Sequence, residues 1–220
     1  MIQNTINIAI RFYPQFLDGL RITFLLSIYA VLLATALGAF ITLCKMSKFR
    51  LLRYLVTAYI EVIRGTPLLL QLYIVFFGLP LAIGVTLDDF TSILIALALH
   101  HAAYVAEIIR AGIQAVDKGQ TEAARSLGLN RVHTMTRIVL PQAVKNILPA
   151  LLNQFIIAIK ETSLASVLFV GDLMTHANIL RGALFVAIEP LLIAGALYLT
   201  VTFTLSRLVG VYERRLAVSD

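Results

Sequence analysis

The sequence predicts an all-α membrane protein of five transmembrane helices, with the N-terminus outside and the C-terminus in the cytoplasm. Composition is the first ground. Of 220 residues, 60% are apolar and only 14% are charged, and mean hydropathy is +0.90. A soluble domain averages roughly 45–50% apolar and about 25% charged residues, and a chain this short cannot hide so much apolar surface in a water-facing globule. The second ground is five apolar stretches, and the third is the placement of Lys and Arg between them. Together these exclude a disordered chain, a secreted disulfide scaffold and an ordinary cytosolic enzyme.

A spanning helix needs about 20 mostly apolar residues. Ile22 to Cys44 carries no charge and is the clearest span. Tyr54 to Pro80 is read as the second, with Glu61 and Arg64 inside it. Phe90 to Ile109, Pro141 to Ile159 and Pro190 to Gly210 follow. Leu164 to Val170 is too short to span and is read as a broken or re-entrant continuation, which lipid tolerates only where protein or water satisfies the backbone. The first span is too long for a signal peptide and lacks a basic region followed by a small-residue cleavage site.

Sidedness follows from the cations, which favour cytoplasmic loops. Lys45, Lys48, Arg50 and Arg53 form one cluster, Arg110 to Lys145 a second, and Arg207, Arg214 and Arg215 a third. The loop at Asp88 and Asp89 has neither Lys nor Arg and is read as external. The net charge of +6 is thereby explained without nucleic acid. Cys44 is the single cysteine, so no intrachain disulfide forms and the residue is read as a small apolar packer. The whole of 1–220 is read as a single transmembrane domain.

The cytoplasmic insertion, about 111–140, is the longest polar segment. Asp117 suits a helix N-cap, with Gln120 three residues on as in a capping box. Ala123, Ala124 and Leu127 form a small apolar face, Gly128 suits the left-handed position that ends a helix, and Pro141 suits the start of the next one. A short helix therefore lies between two spans. Such a helix can be a connector resting on headgroups. Small residues beside charge favour close approach of another backbone over lipid anchoring, which uses large apolar residues.

Glu122-Ala123-Ala124, then Gly128, then Ile138-x-Leu140-Pro141 resembles the EAA loop of bacterial ABC importer permeases, with matching spacing. Glu61-x-x-Arg64-Gly65-Thr66-Pro67-Leu68-Leu69, Ala103-Tyr104-x-Ala106-Glu107-x-x-Arg110 and Lys160-Glu161-Thr162-Ser163-Leu164 resemble the polar amino-acid uptake branch. The likeness covers about residues 15 to 216. It implies a type I importer fold in the bacterial cytoplasmic membrane and a cytoplasmic coupling helix made by Gln120, Glu122, Ala123, Ala124, Ser126, Leu127 and Gly128. It implies four kinds of partner: a second permease chain (identical or different), two cytoplasmic ATPase subunits, an extracytoplasmic amino-acid-binding protein and an amino-acid substrate. The chain itself is not expected to be an enzyme or to bind a cofactor. It has no G-x-x-x-x-G-K-[ST] sequence, so ATP and Mg belong to the partner ATPase.

Charges inside a bilayer cost about 2.5–3.5 kcal/mol on insertion scales, so those present need a reason. Glu61 and Arg64 are three apart and can face one another as a structural pair, and both are also read as candidate substrate-binding residues. Arg64 precedes a helix-loosening Gly65 and Pro67, and a guanidinium there is suited to a substrate carboxylate. Glu161, with Thr162 and Ser163, is read as an acceptor cluster for an α-ammonium or a basic side chain. Lys160 reads as a residue that snorkels to the interface. His100 and His101 are more ordinarily interior hydrogen-bonded residues, with His101 and Gln71 as candidate substrate contacts and Tyr104 a secondary one. The two rings leave a helix about 100° apart, so no shared metal is expected. Glu107 and Arg110 are assigned to a cytoplasmic gate or to the EAA loop. A proton-coupled secondary transporter is the alternative function, disfavoured by the odd span count and the missing inverted repeat. An intramembrane serine protease using Ser163 with a histidine lacks a Gly-x-Ser motif.

Overall fold

The computed structural model describes residues 1–217, without the side chains of 215–217. The Arg215 side chain and positions 218–220 of the expected domain therefore lie outside the described residues. Among the described residues the chain is helical, with no strand. Three helical stretches of 26 to 38 residues and the 33-residue second helix are long and apolar enough to cross a membrane; a sharply bent pair of helices makes up to five spans.

Helix α1 (Ile2–Arg11) was not foreseen. It is amphipathic, burying Ile8 against Phe16, Leu173, Ala177, Leu180 and Ala194. Helix α2 (Tyr13–Lys45) starts with Pro14 in its first turn, where the missing N–H costs nothing. Its 33 residues extend about 50 Å at 1.5 Å per residue, more than the roughly 30 Å hydrocarbon core.

The centre of the fold is α2 against α5 (Asp89–Gln114). In lipid the hydrophobic effect does not drive helices together, so close packing of small residues must do so. Leu26, Ala30, Ala34, Gly38 and Ile41 of α2 are buried, as are Ala102, Ala103, Val105 and Ala106 of α5. A Cβ on Gly38 would sit 2.7 Å from Val105 Cγ1 and 3.0 Å from the Ala106 nitrogen. The Thr42 hydroxyl lies 2.8 Å from the Gly38 carbonyl and 2.9 Å from that of Ala106, so it ties the two helices together. At the other end of α5, Asp88 accepts the Thr91 N–H at 3.0 Å as the N-cap. The same bonds hold its carboxyl below the usual carboxylate range.

The second span is not one helix. It divides into α3 (Arg50–Gly65) and α4 (Leu68–Ile83), bent by 115°. Each is 16 residues, about 24 Å, and too short to cross alone. Pro67 offers no N–H and pushes Thr66 out of the helical region, to φ −121°, ψ 149°. Lys45, Arg50 and Arg53 share a cavity of about 570 Å³ with Arg110. Two of the basic regions assigned to one membrane side thus meet at one end of the bundle.

One further boundary differs from expectation. The span expected from Pro141 begins ten residues earlier. Helix α7 (Arg131–Thr134) runs through a π-helical turn, Met135–Val139, into α8 (Leu140–Glu161). The widened turn accommodates Pro141, which cannot supply an N–H to the preceding carbonyls. After α8 the chain tightens into a 3₁₀ helix, Thr162–Leu168, and breaks at Phe169 (φ 55°) and Gly171 (φ 84°). The break read at Leu164 to Val170 is therefore present. Helix α9 (Leu173–Ala183), which follows, was not foreseen. Buried Asp172 caps it by accepting the N–H groups of Met174 and Thr175 at 3.0 and 3.2 Å and the Thr175 hydroxyl. The Leu173 N–H donates to Thr23 Oγ1 at 3.1 Å and so pins the turn to α2. The last helix, α10 (Glu189–Ala217), has only 11% of its most apolar window buried within the chain; lipid or another chain must cover the rest.

Gly38→Ala forces a methyl into contact with a stiff β-branched side chain and with backbone. Overpacking of this kind costs about 1–3 kcal/mol, and the thermal midpoint of the detergent-purified protein is expected to fall accordingly. An unchanged midpoint would show that α2 and α5 are free to separate there.

Candidate functional site

Three side chains converge where α8 ends against the middle of α5. His100 Nε2 and His101 Nε2 each lie 3.6 Å from Glu161 Oε2. The His100 and His101 rings are 5.3 Å apart with planes at 81°. Both rings therefore reach one carboxylate, although they leave the helix about 100° apart. The offset describes where side chains leave the helix axis; rotation about the χ angles brings the ring tips together. The His101 side chain is fully buried and that of His100 is 5% exposed, whereas Glu161 keeps 31% exposure.

The far side of each ring is held by an amide. Gln71 Nε2 donates to the Ile63 carbonyl (2.7 Å), the Thr66 carbonyl (3.0 Å) and Thr66 Oγ1 (2.8 Å). Its Oε1 is then the atom facing His100 Nδ1, at 2.8 Å. A carbonyl oxygen only accepts, so Nδ1 carries the proton and a neutral His100 presents a bare Nε2 to Glu161. Gln154 Nε2 of α8 lies 2.9 Å from His101 Nδ1; as placed it donates to Nδ1, which leaves the N–H of a neutral His101 on Nε2. His101 Nε2 and Glu161 Oε2 are buried without a hydrogen-bond partner. At 3.6 Å the contacts are too long for hydrogen bonds. Glu161 Oε2 thus has no donor within hydrogen-bond distance.

The other predicted residues divide. Thr162 is buried and donates to the Ile159 carbonyl at 2.8 Å; Ser163 donates to the Lys160 carbonyl at 2.6 Å. Both satisfy carbonyls at the end of α8. Gln71 closes the α3–α4 break and orients His100. Glu61 is exposed and does not pair with Arg64. The Arg64 guanidinium instead lies 3.9 Å from Glu107 Oε2 and 5.7 Å from the Tyr104 ring centroid. The Tyr104 ring is in turn 5.0 Å from that of His100, so one aromatic ring separates the Arg64 and Glu161 ends of the site.

Glu107 is the hub of the inner end. It accepts from Lys45 Nζ at 2.7 Å, and from Arg110 Nε and an Arg110 terminal nitrogen at 3.1 and 2.7 Å. Arg110 also donates to Gln114 at 2.6 Å. His100, Tyr104 and Glu107 stand at i, i+4 and i+7 on α5, and Gln154 and Glu161 at i and i+7 on α8. That same-face spacing is the signal from which the grouping of Gln154 and Tyr104 with the histidines was readable.

The short helix expected in the polar insertion is present, with the expected cap and stop. Helix α6 (Lys118–Ser126) is capped by Asp117, which accepts the Gly119 N–H at 2.6 Å. It ends at Gly128, φ 83°, with Gly128 N–H bonded to Arg125 O and Leu129 N–H to Ala124 O, the Schellman pattern. The capping box is not completed: the Gln120 side chain accepts from Gln142 at 3.4 Å instead. Of the expected apolar face only Ala124 is buried. Leu127 is 84% exposed, and Glu122, Ala123 and Ser126 are exposed with it.

Glu107→Gln leaves Lys45, Arg64 and Arg110 facing a neutral amide. Losing charge-assisted hydrogen bonds costs about 1.5–3 kcal/mol, so the purified protein is expected to melt earlier. In a double-mutant cycle, Lys45→Met combined with Glu107→Gln should cost less than the sum of the two; strict additivity would separate Lys45 from the hub.

Residues 16–218 match the family of binding-protein-dependent transport system inner membrane components. The chain is 43% identical over 207 residues to the arginine transport system permease protein ArtQ of Bacillus subtilis (strain 168), covering 94% of each. It is 39% identical over 213 residues to a putative glutamine transport system permease protein GlnP of Rickettsia conorii (strain ATCC VR-613 / Malish 7), covering 96% of this chain and 98% of the relative. Its fold superposes on a crystal structure of an amino acid ABC transporter with histidines at a TM-score of 0.90, with 45% identity over 94% of this chain and 96% of that one. An inward-facing MetNI methionine ABC transporter gives 0.72 at 14% identity, over 93% and 95% of the two chains, a likeness of fold alone. With its bent second span, its capped cytoplasmic helix and its match along nearly the whole chain, the protein belongs to the binding-protein-dependent transport system inner membrane components, the permease subunits of ABC importers.

Proposed function

We propose that this permease translocates polar amino acids, basic ones among them, through a site between α5 and the end of α8. The observation that carries the reading is an orphaned Glu161 oxygen beside two imidazoles, with no hydrogen bond joining them. An α-ammonium, guanidinium or imidazolium supplies the missing donors. Glu161 is the proposed charge partner, His101 the neighbouring contact, and Gln71, Thr162 and Ser163 hold the backbone that shapes the site. Arg64, exposed and only loosely engaged by Glu107, takes the substrate carboxylate. Glu61, on the same helix, lies exposed at the margin. The relatives' names, arginine and glutamine permeases, support an amino acid without choosing among them.

The transport cycle needs partners. A second permease chain, a copy or a different one, would complete the path and cover apolar surface such as that of α10. Two ATPase subunits using ATP and Mg would seat on α6, and an extracytoplasmic binding protein would deliver the amino acid. ATP can shift the permease between inward and outward states only by favouring one of them. The exposed Glu122–Gly128 segment is where that preference enters the membrane domain. A proton-coupled secondary transporter gives this segment no task.

Glu161→Gln is expected to weaken binding of basic amino acids to the membrane site. The loss of a charge-assisted contact is about 1.5–3 kcal/mol, or roughly ten- to a hundredfold in affinity. Competition on reconstituted transporter, after the binding protein's own selectivity is measured, checks it. Equal loss for neutral amino acids assigns Glu161 to the α-ammonium; unchanged uptake of every substrate removes it from the site.

Gly128→Asp puts a side chain at φ 83°, where L-residues are strained, and Glu122→Lys reverses a charge on α6. Each variant is expected to insert normally but lose substrate-stimulated ATP hydrolysis. Wild-type ATPase yield and stimulation in the double variant would exclude α6 as the coupling element.

A further inference from the structure

We propose that His100, His101 and Glu161 form a transition-metal site that takes a zinc ion. One ligand atom from each of the three residues lies within 4.8 Å of the others. Two histidines and one carboxylate, with a fourth position left open, are a standard zinc donor set. In a tetrahedral site with bonds of about 2.0–2.2 Å, neighbouring donors are about 3.3–3.6 Å apart. The two imidazole-to-carboxylate distances, 3.6 Å each, are already at that separation.

Three further features fit a cation better than a hydrogen bond. His101 Nε2 and Glu161 Oε2 are buried and unpartnered, and His100 Nε2 is left bare by the Gln71 carbonyl on its other nitrogen. Two lone pairs therefore face one point, and turning the Gln154 amide to place its oxygen on His101 Nδ1 frees the His101 Nε2 lone pair as the third. Metal-bound histidines characteristically donate their second N–H to an outer acceptor, which fixes the tautomer. Gln71 provides this for His100 at 2.8 Å. Gln154, 2.9 Å from His101 Nδ1, provides it when its amide is turned to present the oxygen. Finally, the donors stand on two packed helices, while Glu161, 31% exposed on its side chain, leaves a way in.

Metal on Glu161 occupies the oxygen assigned above to the substrate cation, so zinc and a basic amino acid should exclude one another. That consequence rests on the substrate reading; the metal site does not. Zinc bridging α5 to the end of α8 would also hold the two helices together and arrest transport.

The test uses the intact transporter in detergent, stripped with chelator and dialysed against ⁶⁵Zn²⁺. The expected result is one zinc per copy of this chain, lost in the His100→Ala/His101→Ala double variant and in Glu161→Gln. Glu161→Gln conserves volume at a partly exposed position and keeps the test valid if the double variant misfolds. Gln154→Leu is expected to weaken binding about 10- to 100-fold. Co²⁺ should give the visible absorption of a four-coordinate site in the wild type. No retained zinc, or equal retention by wild type and Glu161→Gln, overturns the proposal. Adding arginine reads the substrate assignment separately. Displacement of zinc supports both; retained zinc with arginine bound elsewhere leaves the metal site standing and removes Glu161 from the substrate.

Discussion

A chain in lipid can interrupt a helix only where its own groups satisfy the backbone that the interruption frees, and the rest of this structure depends on one such repair. At Thr66–Pro67 the second span turns by 115°. The Gln71 amide bridges the gap, donating to the carbonyls of Ile63 and Thr66. Without it those carbonyls would face hydrocarbon or a narrow cavity, each at a cost comparable to a lost hydrogen bond. Because the nitrogen is committed to the backbone, the amide oxygen must point at α5. There it sets the tautomer of His100. A backbone repair thus decides the chemistry of the site.

The second consequence is where charge is allowed to sit. The carboxylates of Glu107, on α5, and Glu161, at the end of α8, lie at opposite ends of the polar row His100, Tyr104 and Glu107. Glu107 is saturated by Lys45 and Arg110, which makes it a structural anchor. Glu161 faces only imidazoles across 3.6 Å. Tyr104 stands between the two ends, its ring tilted against His100 and lying under Arg64. The contrast between a satisfied and an unsatisfied carboxylate separates a structural ion-pair hub from the candidate site. Around both, small residues such as Gly38 and the alanines of α5 let α2 come close enough to hold the register.

The sequence by itself determined the class of protein. The apolar stretches, the clusters of Lys and Arg and the Gly128 helix stop are local properties: apolar length, charge bias and a backbone angle that glycine adopts without strain. Each requires only neighbours in the chain, and each is found in the structure. The break after Glu161 was legible for the same reason, since the stretch to Val170 is too short to cross a bilayer. Helices α1 and α9 were not legible, because their stability comes from faces buried against α2 and α10 rather than from apolar length.

Which polar groups meet was decided only by the tertiary structure. Glu61 and Arg64 are adjacent on one helix face, yet Arg64 turns to Glu107, forty-three positions on, because the helix break opens it toward α5. His100 and His101 diverge in sequence geometry but converge on Glu161, since side-chain rotation outweighs the 100° step once α8 packs opposite. Gln71 looked like a substrate contact and is a repair of the backbone. Local spacing can say which face of a helix a residue occupies; what that face meets depends on the packing of helices distant in sequence, which no single segment encodes.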